Sequence, residues 1–296
     1  VMRCRADQVA LWAQAACQWE CVARKPGNVH RTRDFQDTTL LDFLASAAAI
    51  GPVLGRGAGR GLGATILEAV EATRDAAGRN TNLGLILAMA PLAAVPEGKD
   101  LRFGVGEVLR GTTVEDAVLA YRAIRLASPG GLGKAGEQDA DGEPTVSLLE
   151  AMRLAGDRDD IARLWSTGYA DLFEVCLPTL GGGLQHTGCL EAAIVLMHLH
   201  LMALRPDSLI ARKAGVMEAE TAARMAGETA RAGWPHRQAG WQALGELDRW
   251  LRADGNRRNP GTTADLVGAT LFAALLTGQL SLPCVFPWWT GEGIWP

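Results

Sequence analysis

Two apolar runs of helical length, residues 83–95 and 267–276, constrain this chain more than any other feature. Each is apolar nearly all round, which marks a helix buried on every face rather than one lying on a surface. Neither reaches the ~20 residues needed to span a bilayer. Such helices must be wrapped by other elements, and convincing period-two strands are absent from the sequence. The expected fold is therefore all-α. It is read as a single compact multi-helix domain over residues 1–280 with buried central helices, followed by a Pro/Trp-rich tail at 281–296. The periodicity predicts roughly nine to twelve helices.

Both buried helices open from polar turns. Asn259-Pro260-Gly261-Thr262-Thr263-Ala264-Asp265-Leu266 precedes the second run, and Pro260 and Gly261 are costly inside a helix. Thr262 is the expected N-cap, with Asp265 as the return partner of a capping box. Asn80-Thr81-Asn82-Leu83-Gly84 opens the first run, and Pro91 is expected to kink it. A buried helix start carries free N–H groups and a positive dipole end, which suits a phosphate. An acid in the same turn can hold a metal that the phosphates share. Two such mouths point to one shared polar pocket.

Composition narrows the function. With 48% hydrophobic residues the chain can bury a sizeable core, and a net charge of -4 argues against nucleic acid as a partner. The start of the chain carries Arg3, Arg5 and Asp7 and no apolar signal segment, so a cytoplasmic protein with no membrane partner is expected. Six cysteines without a CxxC pair read as core thiols. His198 and His200 are two apart on a predicted helix, so they face different ways. Of 29 basic residues only four are lysine, and two of these, Lys25 and Lys213, lie in motif-like loops. A compact ammonium retained in so arginine-rich a chain suggests a specific use.

In chain order, a helix over 6–23 is broken by Lys25-Pro26-Gly27-Asn28-Val29-His30, a stiff loop presenting Lys25, Asn28 and His30, with Asp34 and Asp37 following. The glycine-rich stretch 55–63 lacks the ending of a P-loop and follows a helix rather than a strand, so it reads as a connection. In the acidic loop 134–144, Asp139 is a candidate metal ligand. Asp157 is expected to cap a helix over 159–175, Gly181-Gly182-Gly183 to form a hinge or a disordered turn, and Arg212 with Lys213 to contact an anion.

Four motifs then occur in order: Lys25-Pro26-Gly27-Asn28-Val29, Asn80-Thr81-Asn82-Leu83-Gly84, Asp207-Ser208 through Arg212-Lys213-Ala214-Gly215, and Asn259 to Leu266. Together they resemble the triphosphoribosyl-dephospho-CoA synthase family over about residues 10–278. The resemblance implies an all-α transferase that takes ATP and 3′-dephospho-CoA, joins a 5-triphosphoribosyl group to the CoA ribose 2′-hydroxyl, and releases adenine. The family pattern at the second motif reads Asn-Thr-His-Lys-Gly, whereas this chain has Asn82 and Leu83 at the His and Lys positions. The family's acidic segment is only loosely echoed by Arg33-Asp34-Phe35-Gln36-Asp37. Other readings are a related transfer in a pterin- or furan-linked coenzyme pathway, a Mg²⁺-dependent C1′ hydrolase, and a non-catalytic nucleotide-binding helical module.

On the transferase reading, Asp34 and Asp265 are expected as general base or Mg²⁺ ligands, with Asp139 as a further ligand and His30 assisting adenine departure. Lys25, Arg212 and Lys213 are expected to bind phosphates. Asn28, Asn80, Thr81, Asn82, Asn259, Gly261, Thr262 and Thr263 are expected to bind the rest of the nucleotide. The partners are ATP and a dephospho-CoA-like molecule, and a homodimer is compatible with the resemblance.

Overall fold

The computed structural model describes residues 5–127, 142–284 and 286. Among the described residues there are fourteen α-helices and no β-strand. They are α1 (Arg5–Val22), α2 (Leu40–Gly55), α3 (Leu62–Ala77), α4 (Leu83–Ala93), α5 (Leu101–Arg110), α6 (Val114–Ala127), α7 (Leu148–Ala155), α8 (Asp160–Ser166), α9 (Leu177–Thr187), α10 (Leu190–Leu204), α11 (Ser208–Ala214), α12 (Val216–Arg231), α13 (Gln238–Arg252) and α14 (Gly261–Leu276). A π-helical turn, Leu172–Cys176, leads into α9.

The two apolar runs form the centre. Every residue of α4 except Gly84 is buried, as is α14 from Val267 to Leu275. α14 packs against α1, α4 and α10, while α4 also meets α3 and α8. Pro91 leaves the Leu87 carbonyl without its i+4 amide. The indole of Trp165 donates to that carbonyl at 3.0 Å, and the Tyr169 hydroxyl donates to the next one, Ala88, at 2.8 Å. Pro52 in α2 likewise frees the Ala48 carbonyl, which accepts from the Gln14 side-chain amide at 3.3 Å, here at the exposed surface. A buried carbonyl left bare costs about 1–3 kcal/mol. Trp165 and Tyr169 therefore let proline sit inside the buried helix α4.

A second core cluster joins α10 to α12 and α13 through residues such as Leu199, Met202, Ala222, Trp241 and Leu247. The loop after α1 ties it to the first. Arg24 and Arg31 both engage Glu191 of α10, and the Gly27 amide donates to Asp248 Oδ1 of α13 at 2.8 Å. Asp248 is fully buried and also accepts from Arg252 Nε at 2.8 Å. The loop is stiff, as its Pro-Gly sequence suggests, because it bridges two cores.

Several boundaries differ from expectation. The helix foreseen at 159–175 stops at Ser166, because Gly168 and Tyr169 take left-handed φ angles of 63° and 67°. Its N-cap is Asp159, not Asp157, with Oδ1 accepting from Ile161 N at 2.9 Å and Ala162 N at 3.0 Å. The glycine triplet 181–183 is no hinge and lies inside α9, which packs on α10. α14 begins at Gly261, so Thr262 and Asp265 form no capping box. The loop 134–144 is described only from residue 142 onward, so Asp139 lies outside the described residues. Among the described residues, no single helix is long and apolar enough to cross a membrane.

Candidate active site

A cavity of about 1050 Å³ lies where the starts of α4, α8 and α14 meet α11, the last turns of α1 and the loop after it. That is at the top of the ~300–1,000 Å³ range of small-molecule sites. Asn28, Asn80, Thr81, Asn82, Arg212, Lys213, Asn259, Gly261, Thr262 and Asp265 all line it. The polar mouths of the two central helices thus converge, although they are far apart in sequence.

Neither mouth is an open anion nest. At α4, Asn80 Oδ1 accepts from Asn82 N at 3.3 Å and Leu83 N at 3.1 Å. Thr81 Oγ1 pairs with Ser46 Oγ at 2.6 Å, and Asn82 Oδ1 accepts from Thr73 Oγ1 at 3.0 Å. At α14, buried Asp207 caps the helix from outside: its Oδ2 accepts from Thr263 N and Thr263 Oγ1, both at 2.8 Å. The other Asp207 oxygen accepts from Leu209 N at 2.9 Å and Ile210 N at 3.0 Å, capping α11. A carboxylate of the protein thus occupies the position expected for a ligand's phosphate. Thr263, spent on Asp207, is buried and is not on the lining.

Three further expectations are corrected. Lys25 is fully buried and lies off the lining. Its ammonium is 2.8 Å from Glu20 Oε1 and also donates to the Glu20 backbone carbonyl at the end of α1, so it is not open to a phosphate. His30 is buried behind the cavity, and its pKa is lowered to about 2 by burial and by Arg252, Lys25, Arg31 and Arg33. A neutral imidazole there is no proton donor to a leaving base. Asp34 is exposed, lies off the lining and accepts from Leu40 N at 2.7 Å at the start of α2. It is a helix-capping residue rather than a base or metal ligand.

Asp265 is different. It is half-buried on the lining and has no hydrogen-bond partner among the described residues. A Cβ placed on Gly84 would stand 2.1 Å from its Oδ2, so the carboxylate lies against bare α4 backbone that only glycine provides. Burial raises its pKa well above the ordinary aspartate value; Glu20, Asp207 and Asp159 add to the rise, and Arg212 opposes it. A carboxylate so placed is more basic than usual and has an open lone pair.

The cationic side of the cavity comes from α11. Arg212 pairs with Asp159 through one terminal nitrogen, and its buried Nε has no partner. Lys213 lies beside it, its pKa lowered by burial and by Arg212. Asn28 Nδ2 donates to Asn259 Oδ1 at 2.6 Å, joining two of the motifs directly. Sequence reasoning missed Glu20, Asp159, Arg74, Arg79 and Arg158, which also line the cavity. An acid five residues before a loop lysine was the available signal for Glu20. Among the described residues, no three His, Cys, Asp or Glu side chains converge as a metal site.

Comparison with known proteins identifies a family and a similar solved structure. The sequence profile of the ATP:dephospho-CoA triphosphoribosyl transferase family matches residues 6–283. A candidate triphosphoribosyl-dephospho-CoA synthase from Archaeoglobus fulgidus, known by crystal structure, is 28% identical to this chain. It superposes with a TM-score of 0.62, covering 79% of this chain and 99% of its own. No curated protein matches.

Proposed function

The chain belongs to the ATP:dephospho-CoA triphosphoribosyl transferase family, and on that premise we propose a working site built around Asp265. The reaction joins the 5-triphosphoribosyl group of ATP to the 2′-hydroxyl of 3′-dephospho-CoA and releases adenine. Asp265 takes the hydroxyl proton as the acceptor oxygen attacks ribose C1′. The observation that carries this role is a basic carboxylate facing the cavity without a hydrogen-bond donor of its own.

Arg212 and Lys213 meet the triphosphate, and Arg158 also lines the cavity. Asn28 and Asn259, already joined, present amides toward ribose hydroxyls. The family lysine position is Leu83, which is buried on the cavity wall. Arg74 in the last turn of α3 and Arg79 in the loop before α4 supply cations to the lining instead. Among the described residues the donor set is thin, which suits magnesium brought in as its complex with ATP. ATP as the donor is consistent with a cytoplasmic location.

The test is incubation with MgATP and 3′-dephospho-CoA, followed by mass spectrometry. Adenine together with the joined product supports the reading. Free triphosphoribose in place of the joined product would make the protein a hydrolase, and no adenine at all would leave a binding module. Asp265→Asn is expected to lower adenine release by about 10²-fold or more, the usual worth of a general base.

A further inference from the structure

Resting on the transferase reading above, we infer that Glu20 is the second working carboxylate of this site, facing the positive charge that develops at ribose C1′, and that Lys25 is the positioning residue that holds it there. Asp265 and Gly268 are three apart on α14 and share one helix face. Asp265 lies against Gly84 on α4. One turn further along α14, a Cβ on Gly268 would stand 3.4 Å from Glu20 Cγ, so the Glu20 stem crosses α14 where side-chain bulk is missing. Both carboxylates line the same cavity.

The Glu20–Lys25 pair is not simply a sealed structural ion pair. Lys25 holds Glu20 through Oε1 alone, and Oε2 has no hydrogen bond among the described residues. The Lys25 side chain is fully buried, while that of Glu20 is 9% exposed, on the cavity side. A cation behind a carboxylate, and substrate space in front of it, keep a negative charge fixed at the wall of the site. Pre-set charges in a water-poor site are an effective way to stabilise charge that appears only in the transition state.

In the step, the C1′–N9 bond of ATP breaks and its electron pair leaves with adenine. The acceptor's 2′ oxygen forms the new bond to C1′. Its proton passes to Asp265 and ends on the departing adenine. Glu20 is unchanged throughout, and its charge opposes the oxocarbenium-like ribose. The groups facing Asp265 are Glu20 and Cys17 from α1, Asp159 at the start of α8, Asp207 before α11, and Arg212 on α11. Of these, Glu20 is the largest electrostatic contributor to its basicity.

The experiment compares full-length wild type with Glu20→Gln and Glu20→Asp, reading adenine release against pH and against ATP concentration. Glu20→Gln is expected to lower kcat by about 10²-fold with little change in the KM for ATP. The acid limb of its pH profile should move to lower pH, because a neighbouring negative charge has gone. Glu20→Asp keeps the charge but shortens the arm. It should retain the wild-type acid limb and exceed Glu20→Gln in kcat, even where both variants lose thermal stability. A structural role predicts the reverse order, since Gln is the closer fit, and an unmoved acid limb. That order, or a Glu20→Gln kcat within about threefold of wild type, overturns the inference while leaving the transferase reading intact. A wild type that releases no adenine overturns both.

Discussion

Lys25→Met provides a direct measure of how this site is held together. Lys25 is fully buried and the Glu20 side chain 9% exposed, so the pair belongs with interior ion pairs rather than surface ones. The ammonium also caps a carbonyl at the C-terminal end of α1. Removing one partner of a buried pair strands the other charge, at a cost of about 3–5 kcal/mol. At roughly 2–4 °C per kcal/mol for a domain of this size, the midpoint should fall by about 6–20 °C. The double variant Glu20→Gln/Lys25→Met strands no charge and should recover most of the loss, giving a coupling of about 2 kcal/mol or more in a double-mutant cycle. Urea denaturation with fixed m-values, alongside calorimetry of ATP binding, reads both quantities. If Lys25 were a phosphate ligand, ATP affinity would fall while stability held or rose. A loss below about 1 kcal/mol, the size of an exposed pair, would refute the placement of Lys25 behind Glu20.

Other outcomes follow from the same geometry. Gly84→Ala should abolish adenine release while leaving helical content intact, because the new methyl would meet Asp265 Oδ2 at 2.1 Å although alanine favours a helix; circular dichroism beside the turnover assay checks it. Asp265 has a raised folded pKa, so wild type loses stability as pH climbs from the ordinary aspartate value toward the folded one. Asp265→Asn escapes that loss and should be the more stable protein at neutral pH, with the gap closing below pH ~4 in urea titrations; equal stability at both pH values would count against it. Arg212→Ala should raise the KM for ATP by about tenfold or more through loss of a charge-assisted phosphate contact, and steady-state kinetics would report it.

The central helices were legible because burial on all sides leaves an unmistakable apolar run, and α4 and α14 follow from it directly. Convergence of Asn80, Asn259 and Asp265 was legible because both runs had to share the same interior. The capping pattern was not. It depends on Asp207, more than fifty residues from Thr263, and local spacing offered Thr262 and Asp265 as a nearer solution. Lys25 was misread for a related reason. A lysine in a Pro-Gly loop looks solvent-facing, and only tertiary packing reveals that Glu20, one turn back along α1, draws it inward. The short helix α11 escaped, and α8 was drawn too long, because each has only seven residues, two turns at most, and is set by cap residues rather than by periodicity.

Asp207 also has a mechanical meaning. One of its oxygens fastens the first turn of α11 and the other the first turn of α14, so the segment carrying Arg212 and the segment carrying Asp265 hang from a single pin. The spacing between the guanidinium of one segment and the carboxylate of the other is therefore set by one buried side chain rather than by two independent loops.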